Sequence, residues 1–248
     1  MKNSLSIIAS LLAVPTALLH AQNYPEPLMV SPGKVILSKT FDSAKDVDKA
    51  IFKFRKEAHF EVADGILKII PPVVAYAGKQ KDTKWAKSSM SRAGLIGLPK
   101  EFVCQFRWKY LKPQNARAYA KRNVFIDLGH RCIRTSFSSQ GATLKLENHL
   151  VGKEAVETSK LLHSRPGLKL EADKWYDITI EVKGTEVVFQ IDGEVLYGKD
   201  DLIAKERPDT FNLDSGGVGY LLDEVIIREA GKFKSDWSKK KATYTQSQ

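Results

Sequence analysis

Side chains able to move protons or grip anions concentrate between positions 130 and 165. His130, Arg131 and Arg134 gather around one expected turn, His149 follows an expected strand from Thr143, and His163 and Arg165 lie in an irregular stretch. A histidine carries a proton either way near neutral pH, and an arginine clamps a carboxylate or sulfate through paired N–H donors. His130 and His149 are therefore candidate acid–base residues, and Arg131, Arg134, His163, Arg165 and Trp85 are candidate substrate contacts. Solvated loop histidines without a role are the competing reading, because no spacing rule ties these residues together. Trp85 is the single aromatic residue of a Lys- and Ser-rich loop, 77–91, and reads either as part of a ligand lid or as the anchor holding that loop down. Trp108, Tyr110, Tyr119 and Tyr220 offer further flat faces for stacking on sugar rings. Trp108, in phase with Phe102 and Phe106, reads more naturally as core. No zinc-type Cys/His spacing and no Gly-rich phosphate loop occur.

The compartment narrows the chemistry. Residues 1–21 combine Lys2, an apolar run from Ile7 to Leu19 and a small residue at Ala21, with no acidic residue, which is the pattern of a secretory leader too short to span a bilayer comfortably. The expected organisation is a signal peptide over 1–21, a linker over 22–33, one domain over 34–230 and a basic tail over 231–248. An exported location is implied, whether periplasmic, cell-surface or extracellular, and no other segment has membrane-spanning length. The formal charge of +10, or +9 without Lys2, points to acidic polysaccharides more readily than to nucleic acid, with general surface charge as the bland reading. Cys104 and Cys132 would meet an oxidising compartment, so one disulfide or two separate buried thiols are the alternatives.

Strands must position these groups. His59 to Ile70 reads as a hairpin through Asp64-Gly65; Phe102, Cys104, Phe106, Trp108 and Tyr110 alternate along one strand; and Ile133 to Phe137 pairs with Thr143 to Leu146. Trp175 to Tyr197 forms a three-stranded meander through Lys183-Gly184 and Asp192-Gly193, and a last strand runs from Val218 to Arg228. Residues 151–167 show no regular pattern. Many short strands at near-regular spacing predict an all-β, two-sheet antiparallel sandwich.

Trp175-Tyr176-Asp177-Ile178-Thr179-Ile180-Glu181-Val182, Val187 to Gly193, Gly217-Val218-Gly219 and Leu222-Asp223-Glu224-Val225-Ile226-Ile227 resemble the terminal half of concanavalin A-like domains, and in particular the 3-keto-disaccharide hydrolase domain family. Thr40-Phe41-Asp42, the Phe60 to Leu67 hairpin and Glu101 to Phe106 follow the same order of landmarks. The resemblance implies a jelly-roll sandwich, a glycan ligand on its concave sheet and, for an enzyme, cleavage of a keto-sugar glycoside, with His130 or His149 carrying the proton. It also places Asp42 and Asp223 where such sandwiches hold a calcium ion through hard oxygen ligands. His59 stands where the family often has Trp, and the paired-carboxylate E-x-D-x-x-E signature of laminarinase-like glucanases is missing, which disfavours retaining chemistry of that kind. A non-catalytic lectin-like or structural module of the cell envelope is the alternative. Sugar identity and oligomeric state are not legible in these residues.

Overall fold

A strand that alternates apolar and polar residues can bury its apolar face only against a second layer. The computed structural model describes residues 24–48, 52–54, 59–70, 92–112, 122–128, 131–148, 159–205, 208, 210–214 and 219–245, and among them the strands form two antiparallel sheets. Sheet A contains β1 (Val30–Lys39), β3 (His59–Ala63), β4 (Ile66–Ile70), β6 (Phe102–Tyr110), β11 (Tyr176–Lys183), β12 (Glu186–Ile191), β13 (Glu194–Lys199) and β15 (Tyr220–Phe233). Its order is β13-β12-β11-β6-β15-β4-β3, with β1 pairing along the later half of β15. Sheet B contains β2 (Phe52–Phe54), β5 (Arg92–Ile96), β7 (Arg122–Asp127), β8 (Arg131–Ser138), β9 (Gly141–Asn148), β10 (Ser159–Pro166) and β14 (Thr210–Asp214), in the order β10-β9-β8-β7-β14-β5-β2. The architecture is the expected jelly-roll sandwich.

The inward faces interlock. Phe102, Cys104, Phe106 and Trp108 of β6 are fully buried against Ile126 and Ile133, Phe137, Leu144 and Phe211 from sheet B. Phe106 meets Phe211 edge-on at 5.3 Å between ring centroids, and Phe137 meets Phe189 at 5.8 Å, so aromatic pairs bridge the two layers. Trp108 is core, as its phase implied, and so are Tyr110 and Tyr220; none of these three is free to stack on a sugar. The hairpin turns at Asp64-Gly65 and Asp192-Gly193 carry positive φ at both residues (53° and 74°; 47° and 80°), the conformation that tight two-residue hairpins demand and that Asp-Gly tolerates. Cys104 lies in the core of sheet A, where burial pushes its thiol well above the usual range, while Cys132 lies on sheet B in the phase of Arg134; the two are not bridged to each other.

Three expectations are corrected by the packing. Residues 159–166, read as irregular, form β10; a register shift between Leu161 and His163 breaks the alternation that would have revealed it. Residues 24–33, read as a linker, are structural. Residues 24–30 run as a strap over the outward face of sheet A, where the Leu28, Met29 and Val30 N–H groups donate to the Glu181 carboxylate at 2.7, 2.8 and 2.8 Å. The Pro25 carbonyl accepts from Gln105 and Thr179, and the Glu26 carbonyl from Gln190. The C-terminal segment, read only as a basic tail, extends β15 to Phe233 and then forms helix α2 (Trp237–Thr245), following the short α1 (Asp201–Lys205) earlier in the chain. Trp237 is buried in a second apolar cluster with Met29, Val30, Val103, Val188, Val195 and Tyr197, and its indole N–H donates to Glu186 at 2.7 Å. Strap and helix together roof the outward side of sheet A.

Glu181 has no solvent exposure, and its neutral replacement tests the roof. Glu181→Ala should lower unfolding stability by about 3 kcal/mol or more, read from the denaturant midpoint, because each charge-assisted bond contributes about 1.5–3 kcal/mol. Glu181→Gln, which keeps one carbonyl oxygen for the strap, should lose roughly half as much. Equal, small losses in both variants would show that the strap is held by its apolar contacts alone.

Candidate functional site

Sheet B presents a different outward face. The residues between its core positions are polar on most strands, and pairing lines them up in rows across the sheet. One row runs Glu147, Cys132, Asp127, Thr210; the next runs Lys145, Arg134, Phe125, Asn212; the third runs Thr143, Ser136, Asn123, Asp214. Each is one step out of phase with a core residue: Leu146, Ile133, Ile126 and Phe211 point the other way.

Arg134 is the charged centre of this face. Its guanidinium reaches diagonally from β8 to β9 and pairs with Glu147 at 3.0 Å, both side chains retaining part of their exposure (31% and 19%). The Cys132 thiol lies 3.9 Å from the same carboxylate. Ser136 donates to the Asn123 side-chain carbonyl at 2.7 Å, and the Asn212 amide donates to the Thr210 hydroxyl at 2.9 Å. Asn123, Thr210 and Asn212 are nearly buried despite facing outward. An array of amide, hydroxyl and ion-paired groups fixed on strands offers both donors and acceptors, the mixture needed to read hydroxyl groups.

Of the other sequence-derived candidates, the described ones, Arg131, His163 and Arg165, do not converge here. Arg131 is three residues from Arg134, so it falls in the inward phase of β8 with Ile133, and its charge acts on Asp200 at the end of β13. His163 is 1% exposed: the β10 register shift turns it inward beside Leu162, and its Nδ1 accepts the Tyr197 N–H at 3.2 Å. Arg165 donates to the Val195 carbonyl at 3.4 Å and lies 3.8 Å from Glu194. His163 and Arg165 thus close the side of the sandwich where β10 meets β13, and neither reaches the Arg134 face. His130, His149, Trp85 and Tyr119 lie outside the described residues. Burial depresses the His163 imidazole below its ordinary value, with Arg165 adding to the effect and only the approach of Nδ1 to the Tyr197 carbonyl at 3.2 Å opposing it, which favours the neutral ring.

Asp42 and Asp223 do not fit a calcium ion. Asp42 accepts from the Thr40 hydroxyl at 2.5 Å, while Asp223 is paired with Arg107 at 3.1 Å on the outward face of sheet A. Arg107 also binds Asp177 at 3.0 Å, so a guanidinium already stands where a dication would neutralise these carboxylates. Among the described residues no group of three or more His, Cys, Asp or Glu is arranged to hold a metal. The residues sequence reasoning missed are Glu147, Asn123, Thr210 and Asn212 on sheet B and Trp175 on sheet A, over whose ring lie Arg107 (5.2 Å) and Lys109 (4.8 Å). Thr210-Phe211-Asn212-Leu213-Asp214 alternates faultlessly, and that alternation was the available signal for β14.

No family model matches the chain, and no curated protein matches it. Solved structures do share its fold. A galectin-like protein of unknown function from Bacillus subtilis is 11% identical, with 82% of this chain and all of that one covered at a TM-score of 0.55. The laminarinase catalytic domain from Thermotoga maritima is 13% identical, covering 82% of this chain and 100% of its own at a TM-score of 0.52. A structure from work on endo-acting O-glycanases of the human gut microbiota is 14% identical over 80% of this chain and 100% of its own, with a TM-score of 0.55. At such identities the likeness establishes a jelly-roll of the concanavalin A-like type and nothing finer. The 3-keto-disaccharide hydrolase family is not among what these matches establish.

The buried imidazole gives a pH signature. Its folded value is depressed, so between that value and the unfolded value of about 6.5 the unfolded chain binds more protons, and stability should fall as pH drops through this window. His163→Gln should remove that part of the slope in chemical denaturation at successive pH values. An identical slope in both proteins would place the titration elsewhere.

Proposed function

We propose that this is an exported glycan-binding protein that holds its ligand against the outward face of sheet B, around Arg134, Glu147, Asn123, Thr210 and Asn212. The observation that carries the reading is the contrast between the two outward faces: sheet A is roofed by the strap and α2, whereas sheet B carries rows of fixed donors and acceptors. A sugar is a ring of hydroxyls, and recognition by short polar side chains on rigid strands loses little conformational entropy on binding. The fold's neighbours include a laminarinase and an O-glycanase study's structure, which supports the ligand class. Export is supported by the leader-like residues 1–21; no helix among the described residues is long and apolar enough to cross a membrane.

The glycan is neutral or only weakly acidic in this reading. Arg134 is already neutralised by Glu147, and Lys145 is the other cation of these rows, so the chain's positive charge is not concentrated there. Hydrolysis is the second reading, favoured by the laminarinase among the fold's neighbours. Keto-sugar glycosides, with His130 or His149 as proton carriers, belong to this second reading.

A glycan array identifies the ligand, and titration calorimetry then locates it. Arg134→Ala should weaken binding by about 10- to 100-fold, from the loss of a charge-assisted contact of about 1.5–3 kcal/mol, and Asn212→Ala by about 2- to 10-fold, from a neutral contact of about 0.5–1.5 kcal/mol, while Arg107→Ala on the opposite face should leave affinity unchanged. Undiminished affinity in both sheet B variants would dispose of the proposal. Release of reducing sugar that disappears in Glu147→Gln, with affinity retained, would promote the hydrolytic reading over simple binding.

A further inference from the structure

The surface that no role yet claims lies at the end of β15 and on α2. Residues 231–245 contain Lys232, Lys234, Lys239, Lys240 and Lys241 against a single Asp236, a net of +4 within a chain of +10. Packing fixes which of these face solvent. Trp237 is 2% exposed, stacks edge-on against Tyr197 at 5.6 Å and donates to Glu186. Lys241 reaches the same carboxylate at 2.8 Å, and Tyr244 packs 6.4 Å from the Trp237 ring. Positions 237, 241 and 244 therefore form the inner stripe of the helix, which leaves Lys239 exposed and Lys240 with 41% of its side chain exposed. The Lys240–Asp236 pair is a surface pair, and such pairs leave their cation available to other partners.

Phe233 supplies a second, independent feature. It sits four residues before Trp237, is 46% exposed, and is flanked by the exposed Lys232, with the Lys183 ammonium 5.6 Å from its ring centroid. A phenyl ring left in water beside the Lys183–Glu101 ion pair and next to the exposed Lys232 matches the boundary between phospholipid headgroups and acyl chains, where the ring enters the apolar layer and the uncompensated lysines meet phosphate. We propose that this patch docks the protein on an anionic phospholipid surface. A polysaccharide polyanion or a nucleic acid would satisfy the lysines but has no acyl layer for the Phe233 ring. Because the patch lies on the roofed side of sheet A, docking would leave the sheet B face turned away from the bilayer. The inference does not depend on the glycan assignment.

The test is co-sedimentation of the chain beginning at Gln22, which retains every described residue, with vesicles of phosphatidylglycerol and phosphatidylcholine or of phosphatidylcholine alone. Binding is expected to the anionic vesicles only and to weaken steeply between low and high salt. The exposed double variant Lys232→Glu, Lys239→Glu should bind about 100-fold more weakly, since each lysine at such a surface contributes roughly a fivefold gain, and Phe233→Ser about tenfold more weakly. Near-ultraviolet circular dichroism confirms that both variants are folded. Absence of sedimentation with anionic vesicles, equal sedimentation with both kinds, or undiminished binding of the Phe233→Ser variant would each overturn the proposal, the last in favour of a soluble polyanion.

Discussion

One carboxylate with no contact to solvent organises the two-sidedness of this sandwich. Glu181 projects from β11 to the outward side of sheet A and accepts three consecutive backbone N–H groups from the strap. Burial pushes its carboxyl above the usual range, while those three donors and the Lys234 charge favour its ionised form. A buried ionised group is tolerated only where such donors surround it. The consequence is structural: with the strap bound here, Met29 and Val30 cover Val103 and Val188, Trp237 seats beside them, and the face that would otherwise be a bare strand surface becomes a second small core.

Closing one face gives meaning to the other. In a two-layer sandwich both inner faces are consumed by the common core, so a ligand has only the outward faces and the loops to use. On sheet B those outward positions are occupied by groups that hold one another in place: Glu147 by Arg134, Asn123 by Ser136, Asn212 with Thr210. Pairing restricts these side chains, which is the preorganisation that the proposed binding face requires. The network around Arg107 on sheet A has a different character. Its guanidinium is divided between Asp177 and Asp223 and its plane lies by Trp175, so its hydrogen-bonding capacity is spent inside the protein.

Much of this was legible from alternation. The β6 row, the β11–β13 meander and the Asp-Gly hairpins followed directly from period-two patterning and turn chemistry. What escaped did so for identifiable reasons. The shift at Leu162 puts two consecutive residues inside and disguises β10 as a loop; β14 is only Thr210–Asp214, boxed between Pro208 and a Ser-Gly-Gly stretch. The docking of the tail depends on Glu186, far away in sequence, so a lone Trp237 in a Lys-rich segment gave no local sign of it. For the site, chemistry was judged by residue type and proximity in sequence. Phase was the better guide: Arg131 and Arg134 are three positions apart, and in a strand that odd interval sends them to opposite faces. The amides and hydroxyls of β7 and β14 carried no catalytic appeal and were passed over, although their outward phase marked them.

Hydrogen–deuterium exchange of the protein with and without a saturating glycan tests the central claim most directly, because it reports on both faces of the molecule in one experiment. The account predicts new protection in β7, β8, β9 and β14, with exchange in the 24–30 strap, β6 and β11 unchanged. Protection confined to the strap and sheet A, with sheet B indifferent to ligand, would contradict it.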